Sequence, residues 1–184
     1  MKVRLLVVTL LLSISLTSFA EEEKTVDWDK IEVALCVKLK SENPEKTDAE
    51  IHQAVGYGLL RSDNQWERAV LHFKKAVEAD PGLYFSWYNL GLIYADEEEG
   101  RNDFRKCIEA NPDFPPAYYW LGYSLCRQKR DKEALPVLEE YLEMAKDDPE
   151  EKDRVKFATK LVKELKAGKE GKNLSMIRIP SNPR

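Results

Sequence analysis

Apolar residues recur every three or four positions along most of this chain, and polar runs break them at regular distances. That period belongs to amphipathic helices, and no stretch alternates with the two-residue period of a strand. Trp28, Ile31, Leu35 and Leu39 predict a first helix from Asp27 to about Lys40, with Lys30 and Lys38 opposite. Ser41-Glu42-Asn43-Pro44 ends it, and Thr47-Asp48-Ala49-Glu50 reads as a capping box that opens the next helix. Paired helices are then predicted at about 48–61 and 65–79, 83–95 and 101–110, 115–128 and 131–146. A last helix from Pro149 to about Ala167 carries Val155, Ala158, Leu161, Val162 and Leu165 on one side. The expected class is all-α.

A repeat lies beneath the period. Trp87, Leu90, Gly91 and Tyr94 spell W-x-x-L-G-x-x-Y; Ala69, Phe73, Ala76 and Pro81 precede them, and Tyr118, Leu121, Gly122, Leu125, Ala134 and Leu138 follow. This pattern resembles the tetratricopeptide repeat over roughly residues 48–148. The resemblance implies a right-handed solenoid of about three helix pairs. Helices at 21–47 (with a linker) and 149–167 would cap its two ends. Gly91 and Gly122 on first helices, and Ala69 and Ala134 on second ones, are expected where helix backbones approach closely. From Pro81 to Pro112 is 31 residues, three short of the usual period. The shortfall falls in the acidic turn Asp96-Glu97-Glu98-Glu99-Gly100. The first copy is the weakest, with Gly56-Tyr57-Gly58 where one glycine and a leucine are expected.

Residues 1–20 read as a cleavable signal peptide. Lys2 and Arg4 precede the apolar stretch Leu5–Leu16, and Ser18-Phe19-Ala20 offers small residues before Glu21. The apolar stretch is short for a membrane span. Export is expected, to a periplasm if the source is bacterial, with no integral span left after cleavage. A eukaryotic secreted protein is the alternative, and Asn173-Leu174-Ser175 would then be a glycosylation sequon. Without Lys2 and Arg4, 27 Lys+Arg face 33 Asp+Glu. That acidic balance argues against nucleic acid as a partner. Residues 168–184 form a basic tail expected to be flexible, with Lys169, Lys172, Arg178 and Arg184 against Glu170.

Chemistry-bearing motifs are sparse. His52 and His72 have no His or Cys at ligand spacing, so they are expected to be helix-surface residues; a metal or general-base site is the alternative. No catalytic glycine or serine motif occurs, so no enzyme, cofactor or metal is expected. The acidic runs Glu21–Glu23 and Asp96–Glu99 lack EF-hand spacing and read as solvated surface. Cys36, Cys107 and Cys126 are expected to fill small gaps between helices, with a Cys107–Cys126 disulfide as the alternative.

The repeat resemblance also implies a concave face, lined by the first helix of each pair, that holds a peptide. By register that face receives Arg61, then Phe85, Tyr88 and Leu92, then Tyr119, Tyr123 and Arg127. Tyrosine and arginine bury much area while keeping a polar end, which suits a binding surface. Packing within the stack is the alternative for these rings. The lysines and asparagines that clamp a partner's terminal carboxylate in some relatives are replaced here by Ala54, Gly58, Tyr88, Leu92, Tyr119 and Tyr123. The expected function is an exported adaptor or envelope assembly factor that binds a protein or peptide in its groove. The alternative is a structural subunit of an envelope complex or homo-oligomer.

Overall fold

Residues 27–62 and 65–168 are described by the structure, a computed structural model. The expected signal peptide and basic tail lie outside the described residues, apart from Gly168. Among the described residues the chain forms eight helices and no strand. It divides into two compact units, one ending at Leu83 and the other beginning at Tyr84.

The first unit holds α1 (Trp28–Glu42), α2 (Asp48–Leu60) and α3 (Trp66–Ala79). Asp27 starts α1 by accepting the Lys30 amide N–H at 3.2 Å. Leu35 and Leu39 are buried, while Ile31 and Trp28 are half-covered. The capping box of α2 is complete: the Thr47 hydroxyl accepts from the Glu50 amide at 3.2 Å, and Glu50 accepts from the Thr47 amide at 2.8 Å. A Cβ on Gly56 would stand 3.0 Å from the Phe73 ring, so Gly56 gives α2 its close approach to α3. Ala69, Phe73 and Ala76, the expected second-helix core, are fully buried. Arg68 on α3 ties back to α1 through Asp29 at 2.8 Å and Glu32 at 2.9 Å.

The second unit holds α4 (Tyr84–Ile93), α5 (Glu98–Ala110), α6 (Pro115–Arg127), α7 (Asp131–Ala145) and α8 (Lys152–Lys166). The same small-against-large device recurs twice. A Cβ on Gly91 would meet the Phe104 ring at 2.6 Å, and one on Gly122 would meet Leu138 at 2.6 Å. Both distances are too short for a side chain, so α4 lies directly on α5 and α6 on α7.

The shortened turn has a local cause. Helix α5 begins at Glu98, three residues before the expected start at 101. A Cβ at Gly100 would collide with the Tyr94 carbonyl, so only glycine lets the early helix start beneath the end of α4. Glu98 and Glu99 then stand in the first turn, where the helix dipole favours negative charge. The acidic run is exposed as expected, but it is also paired. Glu98 meets Arg101 at 2.9 Å, Arg105 at 3.4 Å and Arg130 at 2.7 Å. Beneath it lies a buried polar link: Arg101 donates to the Ser124 hydroxyl at 3.1 Å, and that hydroxyl donates to the Ala95 carbonyl at 2.5 Å. This link satisfies two polar side chains that would otherwise be costly to bury.

Candidate interaction surface

Helix α4 is apolar on nearly every side, as a helix covered over most of its girth should be. Ser86, Asn89, Leu90, Gly91 and Ile93 are buried, and Asn89 donates back to the Phe85 carbonyl at 2.6 Å. Phe85, Tyr88 and Leu92, spaced by three and four residues, form a partly buried stripe along the same helix. The Tyr88 ring packs against Phe85 at 5.9 Å, edge-on against Phe114 at 5.1 Å, and against Phe104 at 6.2 Å. Burial pushes the Tyr88 phenol above its ordinary range, partly offset by the Trp120 indole beside it. One part of each expected groove residue on α4 therefore faces solvent, and the other belongs to an aromatic cluster.

The residues on α6 differ from the expectation of an open groove. Tyr119 and Tyr123 are 3% and 2% exposed, their rings nearly parallel with centroids 6.3 Å apart. Trp120 stands edge-on to both, and Tyr141 of α7 lies 5.2 Å from Tyr119. The cover comes from the C-terminal helix. Phe157 of α8 meets Tyr123 at 6.4 Å, and the Arg154 guanidinium lies 5.9 Å above Tyr119. Helix α8, the last among the described residues, thus covers the two rings that were expected to face a partner. Burial pushes the Tyr119 phenol up to about 12. Helix α8 is anchored at its start, where the Tyr141 hydroxyl donates to the buried Glu151 carboxylate at 2.8 Å and Arg154 pairs with the other oxygen.

The two arginines have local partners. Arg127 is exposed and pairs with Asp96 at 2.8 Å. Arg61, in the first unit, caps α2 with its guanidinium 5.9 Å from the Tyr57 ring centre. The structure thus gathers Tyr119 and Tyr123 in one cluster, leaves Phe85, Tyr88 and Leu92 as a stripe, and sets Arg127 at the rim of α6.

The histidines also depart from the sequence reading. His72 is 3% exposed rather than on the surface, and its Nδ1 lies 3.0 Å from Nδ1 of the half-buried His52. Cys36 is their neighbour. These residues stand one per helix, 16 and 20 residues apart, so no short spacing motif reveals them. All three cysteines are free thiols, and the alternative Cys107–Cys126 disulfide is not formed. Burial pushes both of those thiols up to about 12.

Two family models, both described as Tetratricopeptide repeat, match residues 86–114 and 104–135. Curated relatives include a peroxisomal targeting signal receptor of Pichia angusta, 30% identical over 92 residues. That match covers 48% of this chain and 16% of the relative. The Komagataella phaffii protein of the same name is 28% identical over 109 residues, 58% of this chain and 19% of its own. The tetratricopeptide repeat-containing protein trd-1 of Caenorhabditis elegans is 26% identical over 98 residues, 52% of this chain and 13% of its own. This chain therefore spans less than a fifth of the length of these relatives. No described helix is long and apolar enough to cross a membrane.

Proposed function

We infer, on the premise that this chain is a tetratricopeptide-repeat protein, that it is a non-enzymatic adaptor holding a segment of another protein. The observation that carries this is the stripe Phe85, Tyr88 and Leu92, apolar and only partly buried on the first helix of a repeat. An extended or helical segment laid on that stripe would bury aromatic area, the kind of contact that dominates binding energy. The relatives named as targeting signal receptors support a targeting signal as the ligand class. We further propose that the protein works outside the cytoplasm as an envelope assembly factor, from the signal-like residues 1–20. Amino-terminal sequencing of protein from the native host should begin at Glu21.

A second reading has its own observation. Val33 and Val37, one turn apart on α1, are each 65% exposed, and Leu71 on α3 is 57% exposed. Such residues suit a permanent subunit contact. Affinity capture with the mature protein as bait separates the readings. The adaptor reading expects Phe85→Ser to weaken recovery of the captured protein at least about tenfold, as loss of an anchor residue does. Recovery unchanged by Phe85→Ser but lost with Val33→Ser and Val37→Ser together favours the structural subunit.

A further inference from the structure

Each helix of the first unit sends one metal-binding side chain to a single spot. Cys36 from α1, His52 from α2 and His72 from α3 bring their ligand atoms within 4.8 Å of one another. The two imidazoles meet Nδ1 to Nδ1 at 3.0 Å, with ring centres 5.0 Å apart and planes tilted by 54°. On the other side of His72, Nε2 lies 3.4 Å from Glu32 Oε2. A proton on Nε2 directed at that carboxylate leaves the Nδ1 lone pair on the side of His52. Glu32 is itself held by Arg68 at 2.9 Å.

We propose that Cys36, His52 and His72 form a Zn2+ site, with Glu32 as the carboxylate that orients His72. The donor set is one sulfur and two imidazole nitrogens, which suits zinc and not the oxygen-seeking Mg2+ or Ca2+. A tetrahedral zinc ion holds two imidazole nitrogens about 3.3 Å apart, and a nitrogen and a thiolate about 3.6 Å apart. The nitrogens need to part by a few tenths of an ångström and the sulfur, within 4.8 Å of them, to close by up to about 1.2 Å to admit the ion. Carboxylate, histidine and zinc in line is the usual support for a zinc-bound imidazole. Binding takes the thiol proton from Cys36 and leaves both histidines neutral, so one proton is released per ion. Three protein ligands leave a fourth position. Cys36 and His52 also line a surface cleft with Val37, Lys40, Ser41, Asp48 and Ile51, which would give the ion a way in. Because the ligands come from three helices, the ion would fasten α1 to the α2–α3 pair.

The test uses the untagged full chain under a reductant, titrated with Zn2+ against a chromophoric chelator and separately with Co2+ as a spectroscopic probe. One equivalent of Zn2+ should bind. The Co2+ form should show a sulfur-to-cobalt charge-transfer band and the intense visible bands of a four-coordinate ion. Cys36→Ser, a small change at a half-buried position, should keep the helical spectrum, remove the charge-transfer band and weaken Zn2+ at least about tenfold. Glu32→Gln should keep the band and weaken Zn2+ by about 10- to 100-fold. A Cys107→Ala, Cys126→Ala double variant should bind as the parent does. The proposal is overturned if Cys36→Ser binds Zn2+ as tightly as the parent, or if the band follows Cys107 or Cys126. Uptake of Cu+ without Zn2+ would equally overturn it.

Discussion

Leu138 stands 2.6 Å from the place where a Cβ on Gly122 would lie. Leu138 is fully buried, so it has no solvent side to which it can retreat. Gly122→Leu should therefore lower stability by about 1–3 kcal/mol or more, the usual range for overpacking. Lys132→Ala, at an exposed position of the next helix, should leave the denaturation midpoint nearly unchanged. Chemical denaturation of the two variants makes the comparison, and equal midpoints would contradict the contact between α6 and α7.

Lys129 holds a left-handed conformation at φ 58° just past the end of α6. The Arg130 amide donates to the Leu125 carbonyl at 3.0 Å and the Lys129 amide to the Cys126 carbonyl at 2.9 Å. These two bonds make a Schellman stop, which glycine occupies without steric penalty. Lys129→Gly should raise stability by about 0.5–1 kcal/mol, read as a higher denaturation midpoint. A lower midpoint would show that the lysine side chain has an offsetting role.

Tyr119→Ala should destabilise the second unit by about 3 kcal/mol or more, as removal of a buried aromatic ring does. Phe85→Ser, at a partly buried position, should cost clearly less while weakening partner capture. Thermal melts of both variants, set beside their capture yields, check the division between core and contact surface. A Tyr119→Ala variant that melts with the parent would mean α8 does not hold that ring.

Alkaline pH should act on the same core. Cys107 and Cys126 rise from 9.0 to about 12 on burial, and Tyr119 from 10.0 to about 12. The unfolded chain loses these protons first, so their stabilising effect is whole below about pH 9 and is lost as pH climbs toward 12. Tyrosinate absorbance and helical circular dichroism, followed together, should change in one step for the buried rings. Tyr119 ionisation completed before any loss of helix would refute this linkage.

The helices were legible because amphipathic spacing and small crossover residues are local signals. Gly91 and Gly122 each face the large side chain that the repeat pattern supplies, and Thr47 with Glu50 closes its capping box as written. The early start of α5 was not legible, because it depends on Gly100 lying against the Tyr94 carbonyl. Tyr119 and Tyr123 lie on the expected helix, but their cover comes from Arg154 and Phe157, more than 30 residues later in the chain. Register tells which way a ring points; it does not tell what lies on top of it. The Cys36, His52 and His72 cluster was hidden for the same reason, since each of its members belongs to a different helix.

The seating of α8 on Tyr119 and Tyr123 bears on how such an array can grow. Its outward positions Lys152, Asp153, Lys156, Lys160 and Lys163 are exposed and charged, so a further helix pair added behind it would meet a largely charged face. An extra repeat inserted before α8 would have to reproduce both the aromatic plate and the Tyr141–Glu151 anchor at its own end. Lengthening by tandem duplication is therefore easiest upstream of α6, and the α6–α7 repeat and its covering helix should be inherited together as one block.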